Sequence, residues 1–154
     1  MLGKLSRWLR LLGYEAIYAN NSPDSSLVRK AREEGLILLT SDIALYRLAV
    51  ARGVESYLIK GRTEPERLAR LARRFRIRLA INPPKSLCTT CGGKLRRVER
   101  NKIKGRVPLT TFKTFRNFWE CTESSCRKVY WQGSHWKNIR EVLAEARELR
   151  RVGS

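Results

Sequence analysis

Four cysteines in one stretch of the chain carry its clearest chemistry: Cys88-Thr-Thr-Cys91, then Cys121-Thr-Glu-Ser-Ser-Cys126. A C-x2-C pair brings two thiolates to one ion, and Gly92 and Gly93 behind it permit the tight return of the chain. The second pair, C-x4-C, is looser and still within structural-zinc spacing. The 29 residues between the pairs (92–120) are enough for the two hairpin arms of a zinc ribbon. Four thiolates close a tetrahedral site, so the expected metal is structural Zn2+, with iron as the alternative at a four-cysteine centre. A redox CxxC or a pair of disulfides competes with this reading, but a redox pair needs no second cysteine pair at ribbon distance.

Cations and aromatic rings alternate around these cysteines. Lys94, Arg96, Arg97, Arg100, Lys102, Lys104 and Arg106 precede Phe112, Phe115, Phe118 and Trp119; Arg127, Lys128, Tyr130 and Trp131 follow, then His135, Trp136 and Lys137. This interleaving suits RNA, where phosphates meet cations and unstacked bases meet rings. The plainer reading for Phe118, Trp119 and Tyr130, close to the cysteines, is the small core of the ribbon. His135, the only histidine, can stack or bind phosphate, and its expected place at the start of the last helix equally suits a structural role.

Charge points the same way. The 154 residues hold 33 Lys and Arg against 14 Asp and Glu, a net +19. The excess is shared: 17 basic and 8 acidic groups in residues 1–85, 16 and 6 in residues 86–154. Such a charge repels itself in a compact state and is best neutralised by a polyanion, nucleic acid first. A thermophile-style surface would raise Glu alongside Lys and Arg, and here the acids lag. No apolar run reaches the length of a bilayer span, and the first helix lacks the h-region of a signal peptide. Thiols used as metal ligands point to the cytoplasm.

The elements that must position these groups fall into two unlike halves. In MLGKLSRWLRLLGY (1–14), Leu2, Leu5, Leu9 and Leu12 recur every three or four residues with Trp8 beside them, while Arg7 and Arg10 fall elsewhere, and Gly13 is a natural C-cap. Strands are expected over YEAIYA (14–19), LILLT (36–40), SYLI (56–59) and IRLAI (77–81). Helices are expected between them: one capped by Ser22 with Pro23 at its first position, one over 43–52, and one capped by Thr63. Repeated β-α-β units imply a parallel sheet with covering helices. Functional groups gather at the carboxyl ends of such strands, where Asp24 and Asp42 fall. NPPK (82–85) marks a boundary, so the expected units are an α/β domain (1–82), a zinc ribbon (86–133) and a basic amphipathic helix (134–154).

MLGKLSRWLRLLGY, LILLTSD, CTTCGGKL and above all RVPLTTFKTFRNFWEC…CRKVYWQGSHW resemble the Mut-seven C-terminal RNase domain family over nearly the whole chain to about Asn138. The resemblance implies a PIN-like doubly wound α/β nuclease fold with an appended zinc ribbon. It also implies Mg2+- or Mn2+-dependent RNA cleavage by acidic side chains at strand ends. The acids it carries over are Asp42, directly after LILLTS, and Asp24, less closely aligned; they are the only aspartates in the chain, and helix capping is the plain alternative for each. The second knuckle departs from the family's usual C-x2-C.

In that family the MLGKL-type helix follows a hydrophobic central strand ending in Asp, which would stand before Met1. Three readings stay open: an earlier start of the natural protein, a scaffold that has lost the strand, or replacement of the strand by IRLAI. The leading expectation is an RNA-binding protein acting on structured RNA, weak or inactive as a nuclease. An active metal-dependent endoribonuclease is the alternative, and residence on rRNA in a ribosomal subunit is a third reading.

Overall fold

The structure, a computed structural model, describes residues 2–153. Its α/β part runs α1 (Leu2–Leu11), α2 (Asp24–Glu34), β1 (Leu38–Thr40), α3 (Ile43–Ala51), β2 (Ser56–Leu58) and α4 (Glu64–Phe75). β1 and β2 pair in parallel, Leu38 opposite Ser56 and Thr40 opposite Leu58. The ribbon holds β3 (Leu95–Val98), α5 (Leu109–Thr114), β4 (Phe118–Cys121) and β5 (Val129–Tyr130), with a 3-10 turn over Arg100–Ile103; α6 (His135–Val152) closes the chain. The architecture is therefore α/β with a small parallel sheet, a separate antiparallel sheet in order β3-β4-β5, and a C-terminal helix.

Local sequence explains most of these elements. α1 turns Leu5, Trp8 and Leu9 inward and leaves Lys4 and Arg7 exposed. The Thr63 hydroxyl accepts from Glu66 N at the start of α4, and Pro65 occupies the first turn, where its missing N–H costs nothing. α2 ends where Gly35 turns left-handed (φ 65°) and its N–H returns to Ala31 O. The start of α2 lies one residue later than expected: Pro23 takes the cap position, its carbonyl accepts from Ser26 and Leu27, and Ser22 makes no cap bond.

One core joins α1, α4 and α6: Leu5, Trp8, Leu9, Leu12, Leu68, Leu71, Ala72, Leu143 and Ala146 with Ile59, Ile77 and Leu79. Burial of a side chain such as Leu68 or Leu71 contributes roughly 1.5–3 kcal/mol. A second cluster, Val28, Ala31, Leu45, Ala49 and Val54, packs α2 on α3. Phe118 and Ile103 fill the ribbon, both fully buried.

Two expected strands are absent, and in each case side chains have taken the backbone groups that a sheet would use. In 14–19, Ala16 O accepts from Arg10 Nε (2.9 Å) and Tyr14 N returns to Leu9 O, while Ile17 and Tyr18 are exposed. In 77–81, Ile77 and Leu79 are buried, but their carbonyls accept from Arg150 Nη1 (3.1 Å) and Arg147 Nη1 (2.7 Å) of α6. IRLAI is thus a strap under α6, and the reading that it replaces a central strand is corrected. Tyr14 Oη accepts from Arg78 N (3.0 Å) and ties the two segments together.

Candidate metal centre and cationic face

The knuckle geometry follows from its glycines. Cys88 N donates to Gly93 O and Gly92 N to Cys88 O, both at 2.7 Å, so the chain reverses within one C-x2-C turn. A Cβ on Gly93 would lie 2.6 Å from Glu123 Cγ and 3.1 Å from Cys121 Sγ. Opposite it, the C-x4-C pair is closed by bonds from Cys126 N and Arg127 N to Glu123 O, with Arg127 left-handed at φ 53°. The two extra residues are absorbed in that turn.

These turns bring the four sulfurs within 4.8 Å of one another. Cys88 and Cys126 are 3.8 Å apart, Cys91 and Cys121 3.4 Å. A tetrahedron with metal–sulfur bonds of about 2.3 Å has edges of roughly 3.8 Å, so the donor set and its dimensions fit a closed four-thiolate centre. Tyr130 Oη lies 3.0 Å from Cys88 Sγ and accepts from Thr89 N (3.2 Å), placing a hydrogen-bond donor against the ligand. Burial opposes ionisation of Cys88, but the Tyr130 hydroxyl and backbone groups of Cys91 and Thr90 outweigh it and draw the thiol down to about 6. Burial pushes the Cys121 thiol up to about 12. Metal loading therefore displaces protons.

The aspartates are placed otherwise. Asp42 caps α3: its Oδ1 accepts from Ala44 N (2.8 Å) and Leu45 N (3.2 Å), and its own N–H goes to Thr40 Oγ1. Asp24 is exposed in the first turn of α2. Among the described residues, the four cysteines are the one group of three or more His, Cys, Asp or Glu close enough to share an ion.

The cations anticipated for RNA divide into three sets. Arg10 donates from Nε to Ala16 O and from Nη1 to Thr89 O, stitching α1 to the first knuckle. Arg100 holds Phe112 O by Nε and Nη2 and lies 4.3 Å from the Phe112 ring, and Lys128 Nζ reaches Thr90 Oγ1. Arg7, Lys94, Lys102, Lys104 and Lys137 are exposed, the last 4.0 Å from Glu141. Arg96, Arg106 and Arg127 converge on one carboxylate, Glu120, and Arg97 donates to Asn117 Oδ1. The Arg106 guanidinium, with Arg96, holds the Glu120 carboxyl below the usual range despite its burial. Motif spacing does not single out Glu120; its signal in the sequence is that Glu99, Glu120 and Glu123 are the only acids between 94 and 128.

Trp131 and Trp136 are half-buried and, with Trp119, Tyr130 and exposed His135, line a cavity of about 250 Å³ where α1, the ribbon and α6 meet. His135 is the first residue of α6, as expected.

No curated protein and no solved structure matches the chain. The family model of the Mut7-C RNAse domain matches residues 1–143, from α1 through the ribbon and into α6. The chain belongs to the Mut7-C RNAse domain family.

Proposed function

We propose that this chain binds structured RNA across the basic surfaces of its α/β part and its ribbon, that Cys88, Cys91, Cys121 and Cys126 hold a structural Zn2+, and that its own acids support little or no RNA cleavage. Membership of an RNAse family supports RNA as the ligand. The observation that carries the reading is an imbalance: a net +19 in a chain whose only aspartates are Asp24 and Asp42, with Asp42 Oδ1 engaged in a helix cap. Cations supply affinity through phosphate neutralisation and counterion release, which requires no catalytic centre.

The test uses the zinc-loaded chain and a labelled RNA hairpin, followed by fluorescence anisotropy over a salt series and by gel after incubation with Mn2+. Binding that falls steeply with salt, with the RNA left intact, is the expected result. Salt-insensitive or absent binding overturns RNA recognition. Mn2+-dependent cleavage that disappears in Asp42→Asn would establish the second reading, an active endoribonuclease, which the family itself favours.

A further inference from the structure

The ribbon carries a concavity of about 530 Å³. Its lining holds five cations, Arg96, Arg97, Lys102, Arg106 and Arg127, against two carboxylates, Glu99 and Glu120, a balance of +3. At its floor lies Glu120, with its side chain 4% exposed. Arg96 stands directly across the β3–β4 ladder and places Nε (2.9 Å) and Nη2 (2.7 Å) on Glu120 Oε1. Arg106 Nη1 meets Oε2 at 2.9 Å, and its Nη2 donates to Arg127 O at 2.7 Å. Arg127 Nη2 stands 3.7 Å from the same Oε2.

One carboxylate cannot discharge three guanidiniums. Each guanidinium has five N–H donors in a rigid fork, and Glu120 takes only part of them. Arg96 and Arg127 remain more than half exposed. A buried acid that fixes two forks by hydrogen bonds and holds a third guanidinium at ion-pair distance, around an open, positively charged hollow, is a preorganised receptor for a tetrahedral oxyanion.

We propose that this hollow is a phosphate-binding site that seats a backbone phosphate of the bound RNA, with Glu120 as the positioning residue that aims Arg96, Arg106 and Arg127. The proposal rests on the RNA reading above and adds to it a defined point of attachment.

The test follows the side-chain Nε–H signals of the three arginines by NMR in the zinc-loaded full chain, titrated with an RNA hairpin and separately with inorganic pyrophosphate. Saturable shifts of all three with the hairpin are expected. RNA that binds without moving them overturns the phosphate site and leaves the RNA reading standing; RNA that does not bind overturns both. Shifts with pyrophosphate alone overturn the RNA assignment in favour of a free anion. Glu120→Gln adds a test of sign. Deleting a negative charge from an RNA-binding face should tighten binding. Disordering the three forks should instead weaken it by about threefold and make the salt dependence shallower by about one neutralised phosphate. Tighter binding overturns the positioning role. Arg106→Lys keeps the charge and removes the fork, so the same loss of about threefold is expected even if Glu120→Gln fails to hold zinc, and unchanged affinity overturns the proposal.

Discussion

Trp8 Nε1 donates to Glu64 Oε2 at 2.6 Å, joining α1 to the first turn of α4 across 56 residues. Lys4 Nζ lies 2.6 Å from the other oxygen of the same carboxylate. Burial alone would raise the pKa of Glu64, but Lys4 and Trp8 outweigh it and hold the carboxyl below its usual range. Because the folded value is the lower one, the stabilisation is fully present above the unfolded value of about 4.3 and is lost as pH falls through the folded value. Glu64→Gln should cost about 1 kcal/mol at neutral pH. Urea midpoints of the two proteins should converge as the pH is taken into the acid range.

The sulfur cluster should govern the ribbon and not the helical core, which contains no ribbon residue among its buried members. Cys121→Ser, or a strong chelator, should release one zinc per chain and unfold the β3-β4-β5 sheet, because metal binding in such small modules is worth about 10–16 kcal/mol. Helical circular dichroism should largely persist. Metal analysis and amide NMR of the ribbon together check the outcome.

Gly93→Ala probes how closely the knuckle is built. The added methyl would meet Glu123 Cγ at 2.6 Å and crowd Cys121 Sγ and Cys91 Sγ. Zinc retention against a competing chelator should fall, while Gly105→Ala in the loop after the 3-10 turn, where nothing stands within 4 Å of the new Cβ and the cost is only the strain of an alanine at φ 83°, should lower stability without loosening zinc.

Asp42 offers a clean separation of capping from chemistry. Asp42→Ala should cost about 1 kcal/mol, since Ala44 N and Leu45 N lose their acceptor. Asp42→Asn caps nearly as well and should leave the denaturation midpoint almost unchanged.

Leu143→Ala should destabilise the protein by about 2–5 kcal/mol, the usual range for a core leucine truncated to a cavity. Leu143 is 3% exposed and belongs to the same cluster as Leu68 and Leu71. Thermal or urea unfolding followed by helical circular dichroism measures it.

Groups whose roles are set by nearby residues were readable from sequence. The four cysteines, the Thr63 cap, the inward leucines of α1 and the position of His135 all depend on spacings of a few residues. IRLAI, read from its apolar content as a strand, does bury Ile77 and Leu79 but forms no strand. What apolar content could not supply was the backbone partner: hydrophobic alternation is the same whether a carbonyl faces a neighbouring strand or Arg147, 68 residues away. The same limit hid Glu120, whose role comes from Arg106 and Arg127 arriving from two separate turns.

α6 runs past the last residue matched by the family model, yet Ala146, beyond that limit, is completely buried and Arg147 and Arg150 clamp the strap at 77–79. The span matched by the family model and the unit of folding therefore end at different residues. A fragment cut at position 143 would keep the shared family region and uncover the α4 face on which the last turns of α6 sit.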